Sequence, residues 1–189
     1  MFFCLIACND ALGSANNSKE QHIQIADSFF MKGDYENALL YYNEAINLTP
    51  DDVTVNNDRG VTLLQLNRTE EAIESFQKAY SLSPENAVTL YNLGRGYLSL
   101  NIPDKAYAYF NQSSSLNQSF KKGLFYQGII QYDAGSYTEA LQLFERYSEY
   151  YPDDVASYFN QGQCYEKLEI MDKAAKMYDK ALSMDPDYA

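Results

Sequence analysis

The sequence contains no tryptophan, one histidine and only three cysteines among its 189 residues. Cys4, Cys8 and Cys164 show no metal-ligand spacing, and His22 has no second histidine with which to form a zinc site or a proton relay. No glycine-rich phosphate loop follows a predicted strand, and no nucleophile is paired with a base. We therefore expect a protein that is not an enzyme and that uses neither a metal nor a cofactor.

Positive charge is also scarce, with 14 basic residues against 26 acidic ones and a net charge of −12. This balance repels a phosphate backbone and argues against general binding to nucleic acid or to anionic membrane surfaces. No apolar run approaches the roughly 18 residues that a membrane-spanning helix needs. We therefore expect the body of the protein to be soluble.

The chain is instead rich in internal repetition, with a period of 34 residues. Prolines recur in this register, and the same interval relates a column of small residues, a column of alanines and a column of aromatic residues. These columns are Pro50, Pro84, Pro152 and Pro186; Ala26, Gly60, Gly94, Gly128 and Gly162; Ala38, Ala72, Ala106, Ala140 and Ala174; and Tyr42, Phe76, Phe110, Phe144 and Tyr178. Five copies occupy residues 19–52, 53–86, 87–120, 121–154 and 155–188.

Each copy is predicted to form two helices. In the first copy, apolar residues at helical spacing are interrupted at Lys32-Gly33-Asp34, and a second helical pattern continues until Leu48-Thr49-Pro50. Proline cannot continue that second helix. The small residues allow two antiparallel helices to approach closely, because each can accept the aromatic ring of the other helix.

These columns resemble the tetratricopeptide repeat family over about nine-tenths of the chain. Gln118 departs from the proline column of that family, and Ser113 and Tyr147 depart from a second small column. The resemblance implies an all-α fold, a right-handed αα-superhelix or solenoid of five helix-turn-helix units. It also implies a non-enzymatic function, the binding of a protein or peptide in a concave groove lined by the first helices.

The resemblance places groove residues at the second, fifth, sixth, ninth, twelfth and thirteenth positions of each repeat. By this criterion we predict a partner-binding groove formed by Tyr91, Asn92, Arg95, Lys122, Phe125, Tyr126, Phe159 and Asn160. Further residues at these positions are Asp27, Phe30, Asn57, Val61, Tyr132 and Gln163. The alternative interpretation is that many of these side chains are core, since aromatic residues at helical spacing commonly pack inside.

Charge suggests the chemistry of the partner. The third repeat alone has a positive net charge, and Arg95, Lys105, Lys121 and Lys122 lie in it or just after it. We expect this region to attract an acidic segment or a C-terminal carboxylate. Of the five residues that form the chaperone-tail clamp in this family, Asn92 and Lys122 are matched, but Asn57, Val61 and Tyr126 replace the others. The pattern therefore does not favour binding of chaperone tails.

The N-terminus carries the tetrapeptide Leu5-Ile6-Ala7-Cys8, which fits a lipoprotein signal ending at the cysteine that receives lipid. Residues 9–18 are polar and rich in small residues, as expected of a tether. No lysine or arginine precedes the motif, and the apolar stretch is short. We predict lipidation of Cys8 and a location in the bacterial cell envelope; the alternative is an apolar tail on a cytoplasmic adaptor or co-chaperone.

The final repeat is predicted to present an uncovered helix face. Terminal repeats normally carry a polar cap, whereas this face contains Ala174, Tyr178, Ala181 and Leu182. A continuation of the chain, a second copy of the protein or a partner could cover it. The leading hypothesis is therefore a membrane-tethered scaffold that aids assembly of a complex, with a cytoplasmic adaptor or a regulatory fragment of a larger protein as the alternatives.

Overall fold

The computed structural model describes residues 18–117 and 120–188, and this part of the chain forms ten α-helices and no β-strand. The helices are α1 (18–31), α2 (Tyr35–Leu48), α3 (Val53–Gln65), α4 (Thr69–Leu82), α5 (Ala87–Ser99), α6 (Pro103–Leu116), α7 (Gly123–Asp133), α8 (Tyr137–Tyr150), α9 (Val155–Lys167) and α10 (Met171–Met184). Each predicted repeat contributes two consecutive helices. The predicted all-α fold of five helix-turn-helix units is confirmed.

The chain divides into two compact units between Leu100 and Asn101. The N-terminal unit contains α1 to α5, in which α2 packs on α3, α3 on α4, and α5 on both α3 and α4. The C-terminal unit contains α6 to α10, and each helix there packs on the next. The division lies inside the third repeat, so the first helix of that repeat belongs to one unit and the second helix to the other.

The predicted role of the small residues is confirmed. A Cβ atom placed on Gly128 would lie 2.7 Å from Cε1 of Phe144, and one on Gly162 would lie 2.5 Å from Cε1 of Tyr178. The aromatic column fills the space that these glycines leave, and Phe144 is fully buried. Close approach of the two helices in these repeats therefore depends on the absence of a side chain at this position, whereas the first repeat has the small Ala26 there.

The turn inside every repeat uses a residue with positive φ. Gly33, Asn67, Asn101, Gly135 and Glu169 share one position of the 34-residue register, with φ between 57° and 79°. Glycine and asparagine tolerate this left-handed conformation, whereas glutamate adopts it at a steric cost. The same backbone turn therefore recurs even where the residue is unfavourable.

Helix boundaries follow the capping chemistry of the sequence. Asp52 accepts hydrogen bonds from the backbone N–H groups of Thr54 and Val55, and Asn86 does the same for Val88 and Thr89. These side chains satisfy N–H groups that have no partner within the helix. Helices α2, α4, α8 and α10 each end two residues before a proline of the repeat.

Candidate partner-binding site

A cavity of about 410 Å³ opens in the N-terminal unit between the first helices of repeats one and two. Its lining residues are Asp27, Phe30 and Met31 of α1, Tyr42 of α2, and Asp58 and Val61 of α3. Asp27, Phe30 and Val61 are among the predicted groove residues. The cavity therefore lies on the helix face where the repeat pattern predicts a groove.

Asp27, the first polar group of the cavity, is held in place by a hydrogen bond from the buried Tyr42. Tyr42 is 3% exposed, and its phenol donates a hydrogen bond of 2.5 Å to Oδ1 of Asp27. Burial and this hydrogen bond together raise the pKa of Tyr42, so the phenol keeps its proton. Asp27 is exposed, and this hydrogen bond orients its carboxylate as an acceptor at the cavity wall.

The second polar group is Asp58. Burial, together with the negative charges of Asp27 and Asp52, raises the pKa of Asp58 to about 6. Two carboxylates that face one cavity disfavour each other's ionisation unless a cation neutralises them. The cavity is therefore an environment in which a positively charged group is stabilised.

The rest of the cavity wall is apolar and is formed by Phe30, Met31 and Val61. The rings of Phe30 and Tyr35 meet edge to face at 5.2 Å, which orients Phe30, and Met31 is 84% exposed. Methionine has a flexible and polarizable side chain that adapts to different partners. This wall suits the aliphatic part of a long side chain such as that of lysine or arginine.

Our sequence-based selection of residues missed Asp58 and Met31. Asp58 occupies the sixth position of its repeat, the same position as the predicted Asn92, Tyr126 and Asn160. Met31 occupies the thirteenth position of the first repeat. Applying the groove positions to every repeat, without weighting by the positive charge of the third, would have found both residues.

Three predicted site residues lie on α5 of the N-terminal unit. The guanidinium carbon of Arg95 is 5.9 Å from the ring centroid of Tyr91, so these half-buried side chains lie together. Asn92 is buried, and its amide donates to Oδ1 of Asn57 at 3.4 Å. Asn57 in turn donates to Oγ1 of Thr89 at 2.8 Å, so Asn92 belongs to the hydrogen bonding between α3 and α5.

Three further predicted residues lie at the start of α7 in the C-terminal unit. Lys122 is exposed. The ring of Phe125 lies 5.5 Å from that of Phe144 and 5.2 Å from that of Tyr147. The ring of Tyr126 stacks on Phe110 at 5.1 Å. Phe125 and Tyr126 therefore pack against neighbouring rings of the same unit, and Lys122 alone of the three extends into solvent.

The last two predicted residues lie on α9. The amide of Asn160 donates to the carbonyl of Ala156 in its own helix at 2.7 Å. The ring of Phe159 lies 5.5 Å from the rings of both Tyr178 and Tyr188. It lines a second cavity, of about 270 Å³, together with Tyr178, Ala181, Leu182 and Tyr188. Phe159 and Asn160 therefore lie on the final helix pair of the C-terminal unit.

Cys164 and His22, the other side chains considered for chemistry, occupy structural positions. Cys164 is buried, and burial followed by the charge of Glu145 raises its pKa to about 12, so its thiol stays protonated. Nδ1 of His22 lies 2.7 Å from the carbonyl oxygen of Ser18. Within residues 18–117 and 120–188 no group of three or more metal-ligating side chains converges. The predicted lipidation site, Cys8, lies outside the described residues.

None of the helices in the described ranges has both the length and the apolar composition needed to cross a membrane.

Comparison with known proteins gives matches along most of the chain. One family model described as tetratricopeptide repeat matches residues 23–87 and 125–189, and a second model with the same description matches residues 63–119. The Protein CTR9 homolog of Arabidopsis thaliana is 34% identical over 65 residues. That segment is 34% of this chain and 6% of the relative, so the chain spans only a small part of that protein.

Solved structures share the fold over most of its length. YrrB, described as a TPR protein with an unusual peptide-binding site, is 28% identical, with 88% of this chain and 86% of that one covered and a TM-score of 0.67. PilW, described as a widely conserved type IV pilus biogenesis factor, is 19% identical, with 90% and 79% covered and a TM-score of 0.81. With the family models covering well over half of the sequence, the chain belongs to the tetratricopeptide repeat family.

Proposed function

We propose that this protein is a non-enzymatic scaffold that binds a basic segment of a partner protein in the cavity between α1 and α3. The observation that carries this proposal is the pair of carboxylates, Asp27 and Asp58, that face one cavity at groove positions of adjacent repeats. The fold supports protein binding in general, and the likeness to YrrB, described as having a peptide-binding site, supports peptide binding.

The chemistry of the cavity selects a lysine or arginine side chain. Its charged end would donate hydrogen bonds to the carboxylates of Asp27 and Asp58, and its aliphatic part would lie along Phe30, Met31 and Val61. The first repeat carries a net charge of −5, which adds a longer-range attraction for a basic segment. Charge-assisted hydrogen bonds contribute about 1.5–3 kcal/mol each, enough for one anchoring side chain to decide specificity.

A display library of random short peptides, selected against the full chain, tests this proposal. We expect enriched peptides to contain lysine or arginine, and the double variant Asp27→Asn with Asp58→Asn to bind them at least about tenfold more weakly in fluorescence anisotropy. Glu74→Gln is the matched control, because Glu74 is exposed on α4 and away from the cavity. Enrichment without basic residues, or equal binding by the double variant, would contradict the proposal.

The alternative partner is the acidic segment that the sequence predicts, which would bind at Arg95 or at Lys122 and not in the cavity between α1 and α3. Arg95 lies over the ring of Tyr91, which favours recognition of a planar carboxylate beside an aromatic ring. The double variant Arg95→Glu with Lys122→Glu distinguishes an acidic partner from a basic one. Loss of binding in this variant, with binding retained in the Asp27 and Asp58 variant, would favour the acidic partner.

We further propose that the scaffold is tethered to a bacterial envelope membrane through lipid on Cys8 and aids assembly of a complex there. The motif Leu5-Ile6-Ala7-Cys8 and the polar stretch that follows it support this proposal. An alkyne analogue of palmitate, fed to a bacterial host that expresses the full chain, tests it. We expect labelling to be lost in Cys8→Ser and retained in Cys164→Ser. Labelling that persists in Cys8→Ser would rule out the anchor at that cysteine, and a full chain that takes up no label would favour the cytoplasmic adaptor.

A further inference from the structure

We propose that the partner segment bound by the N-terminal unit is bipolar: a basic side chain enters the cavity between α1 and α3, and an acidic side chain about four residues away pairs with Arg95 on α5. The basic end depends on the proposed function, since it occupies the cavity of Asp27 and Asp58. The acidic end is a second contact that fixes the direction and the register of the partner. All of the residues involved lie in the N-terminal unit.

Asp27, Val61 and Arg95 form a row across the first helices of three consecutive repeats. They share one position of the 34-residue register, and the first two line the same cavity. Helix α5 packs on α3, and Asn57 of α3 donates a hydrogen bond of 2.8 Å to Oγ1 of Thr89 on α5. The row therefore continues from the cavity wall to Arg95, and its charge changes from negative through neutral to positive.

Both ends of this row carry charge that no other side chain neutralises within residues 18–117 and 120–188. Three other basic residues of the N-terminal unit form ion pairs there, but Asp27, Asp58 and Arg95 do not. Arg95 is half-buried, with its guanidinium carbon 5.9 Å from the ring centroid of Tyr91. A half-buried charge without a counter-ion interacts more strongly with an incoming opposite charge than a fully hydrated one does.

The two ends are too far apart to neutralise each other. The charges that raise the pKa of Asp58 are the negative ones of Asp27 and Asp52, and Arg95 does not offset them. Packed helices lie about 8–10 Å apart, so the middle of the cavity between α1 and α3 is about 12–15 Å from α5. Side chains four residues apart on an extended chain point to the same face and are about 13 Å apart. Basic and acidic residues at this spacing therefore reach both ends at once.

The net charge of −12 makes an acidic side chain in the partner informative. On its own, that charge favours basic peptides and disfavours acidic residues within them. An acidic residue that is retained at a fixed distance from the basic one therefore indicates a local contact. Arg95 provides such a contact, because a guanidinium pairs with a carboxylate in a fixed, bidentate geometry.

Repeating the peptide selection with variants of Arg95 tests the proposal. We expect peptides enriched on the unaltered chain to carry an acidic residue about four positions from the basic one. Arg95→Glu should keep the basic residue and select lysine or arginine in place of the acidic one, whereas Arg95→Gln should show no preference there. Lys78→Glu makes the same charge change on the exposed side of α4, and this control should select the same peptides as the unaltered chain.

The affinity of one enriched peptide gives the quantitative test. Replacing its acidic residue by the amide should weaken binding to the unaltered chain by about three- to tenfold and leave binding to Arg95→Gln unchanged. Circular dichroism verifies that the variants fold. Enrichment of basic residues without an acidic one, or an unchanged acidic preference on Arg95→Glu, would overturn this proposal and leave the proposed function standing. Enrichment without basic residues would overturn both.

Discussion

Tyr42 donates a hydrogen bond of 2.5 Å to Asp27, joining the buried core of the first repeat to the wall of the cavity. The aromatic column of the repeat therefore has a second role here. Its ring fills the space beside α1, as the rings of Phe76 and Phe144 do beside their own helices, and its hydroxyl orients an acidic side chain that faces solvent.

The first prediction concerns this hydroxyl. Tyr42→Phe keeps the ring and removes the donor. We expect the free energy of unfolding to fall by about 1–2 kcal/mol, towards the lower end for hydrogen bonds to charged groups, because the exposed Asp27 can be hydrated instead. Urea unfolding at neutral pH measures the change. Tyr41→Phe on the same helix is the control, and we expect it to have a smaller effect. Equal losses in both variants would show that the bond between Tyr42 and Asp27 has no special contribution.

The second prediction follows from the raised pKa of Asp58, about 6, which lies above the value of about 3.9 expected in the unfolded chain. The folded state therefore holds this proton more tightly, so ionisation of Asp58 destabilises the fold. The penalty is absent below about pH 4, grows as the pH rises, and is complete above about pH 6.

Asp58→Asn removes this penalty. Because the carboxyl is partly accessible to solvent, we expect the variant to be about 1–2 kcal/mol more stable at pH 7.5, with the difference shrinking towards pH 4. Urea unfolding at both pH values measures it, with Glu74→Gln as the control. A stability gain that does not depend on pH would contradict this account, since an isosteric amide would then act through packing alone.

The fold was accessible from the sequence because its determinants are local and periodic. Gly60, Gly128 and Gly162 recur opposite Phe76, Phe144 and Tyr178, and every such pair lies within one repeat, so the period alone predicts their contact. Pro50 and Pro84 mark the ends of helices for the same local reason. Tyr147 stands in a column where three other repeats have alanine, and it is accommodated there with its phenol donating a hydrogen bond to Asp154 at 2.7 Å.

The candidate site was less accessible because it depends on distances between repeats. The cavity at Asp27 and Asp58 forms only when the first helices of two repeats lie side by side, whereas the net charge of each repeat favours Arg95 and Lys122 as the binding residues. Packing also decides the role of polar residues such as Asn92, which is buried between helices and donates a hydrogen bond to Asn57. A register assigns a residue to a face, but neighbouring helices determine whether that face is open.

The third prediction concerns the turn of the last repeat. Glu169 has φ of 61°, where a residue with a Cβ atom is strained by about 1–2 kcal/mol. Glu169→Gly relieves that strain but adds freedom to the unfolded chain, so we expect a net gain in stability of about 0.5–1 kcal/mol. Glu169→Ala removes the same carboxylate and keeps the Cβ atom. If alanine stabilises the protein as much as glycine does, the loss of charge and not the backbone strain is responsible.

The fourth prediction compares two glycines in the same column. A Cβ atom on Gly60 would lie within 3.0 Å of three carbons of the Phe76 ring, and Phe76 is fully buried. A Cβ atom on Gly162 meets Tyr178 equally closely, but Tyr178 is half-buried and its hydroxyl reaches Glu166 at the surface. The ring of Tyr178 can therefore move outward, whereas that of Phe76 is confined by its neighbours.

We expect Gly60→Ala to lower the free energy of unfolding by about 1–3 kcal/mol despite the gain of about 1 kcal/mol in helix propensity. Gly162→Ala should cost less than Gly60→Ala, or be neutral, because the same propensity gain meets a ring that can yield. Urea unfolding of the two variants gives the comparison. Adding Phe76→Leu to Gly60→Ala should recover part of the loss, since the smaller side chain leaves room for the new methyl group. If the two losses simply add, the steric contact between residues 60 and 76 is not what makes glycine necessary at this position.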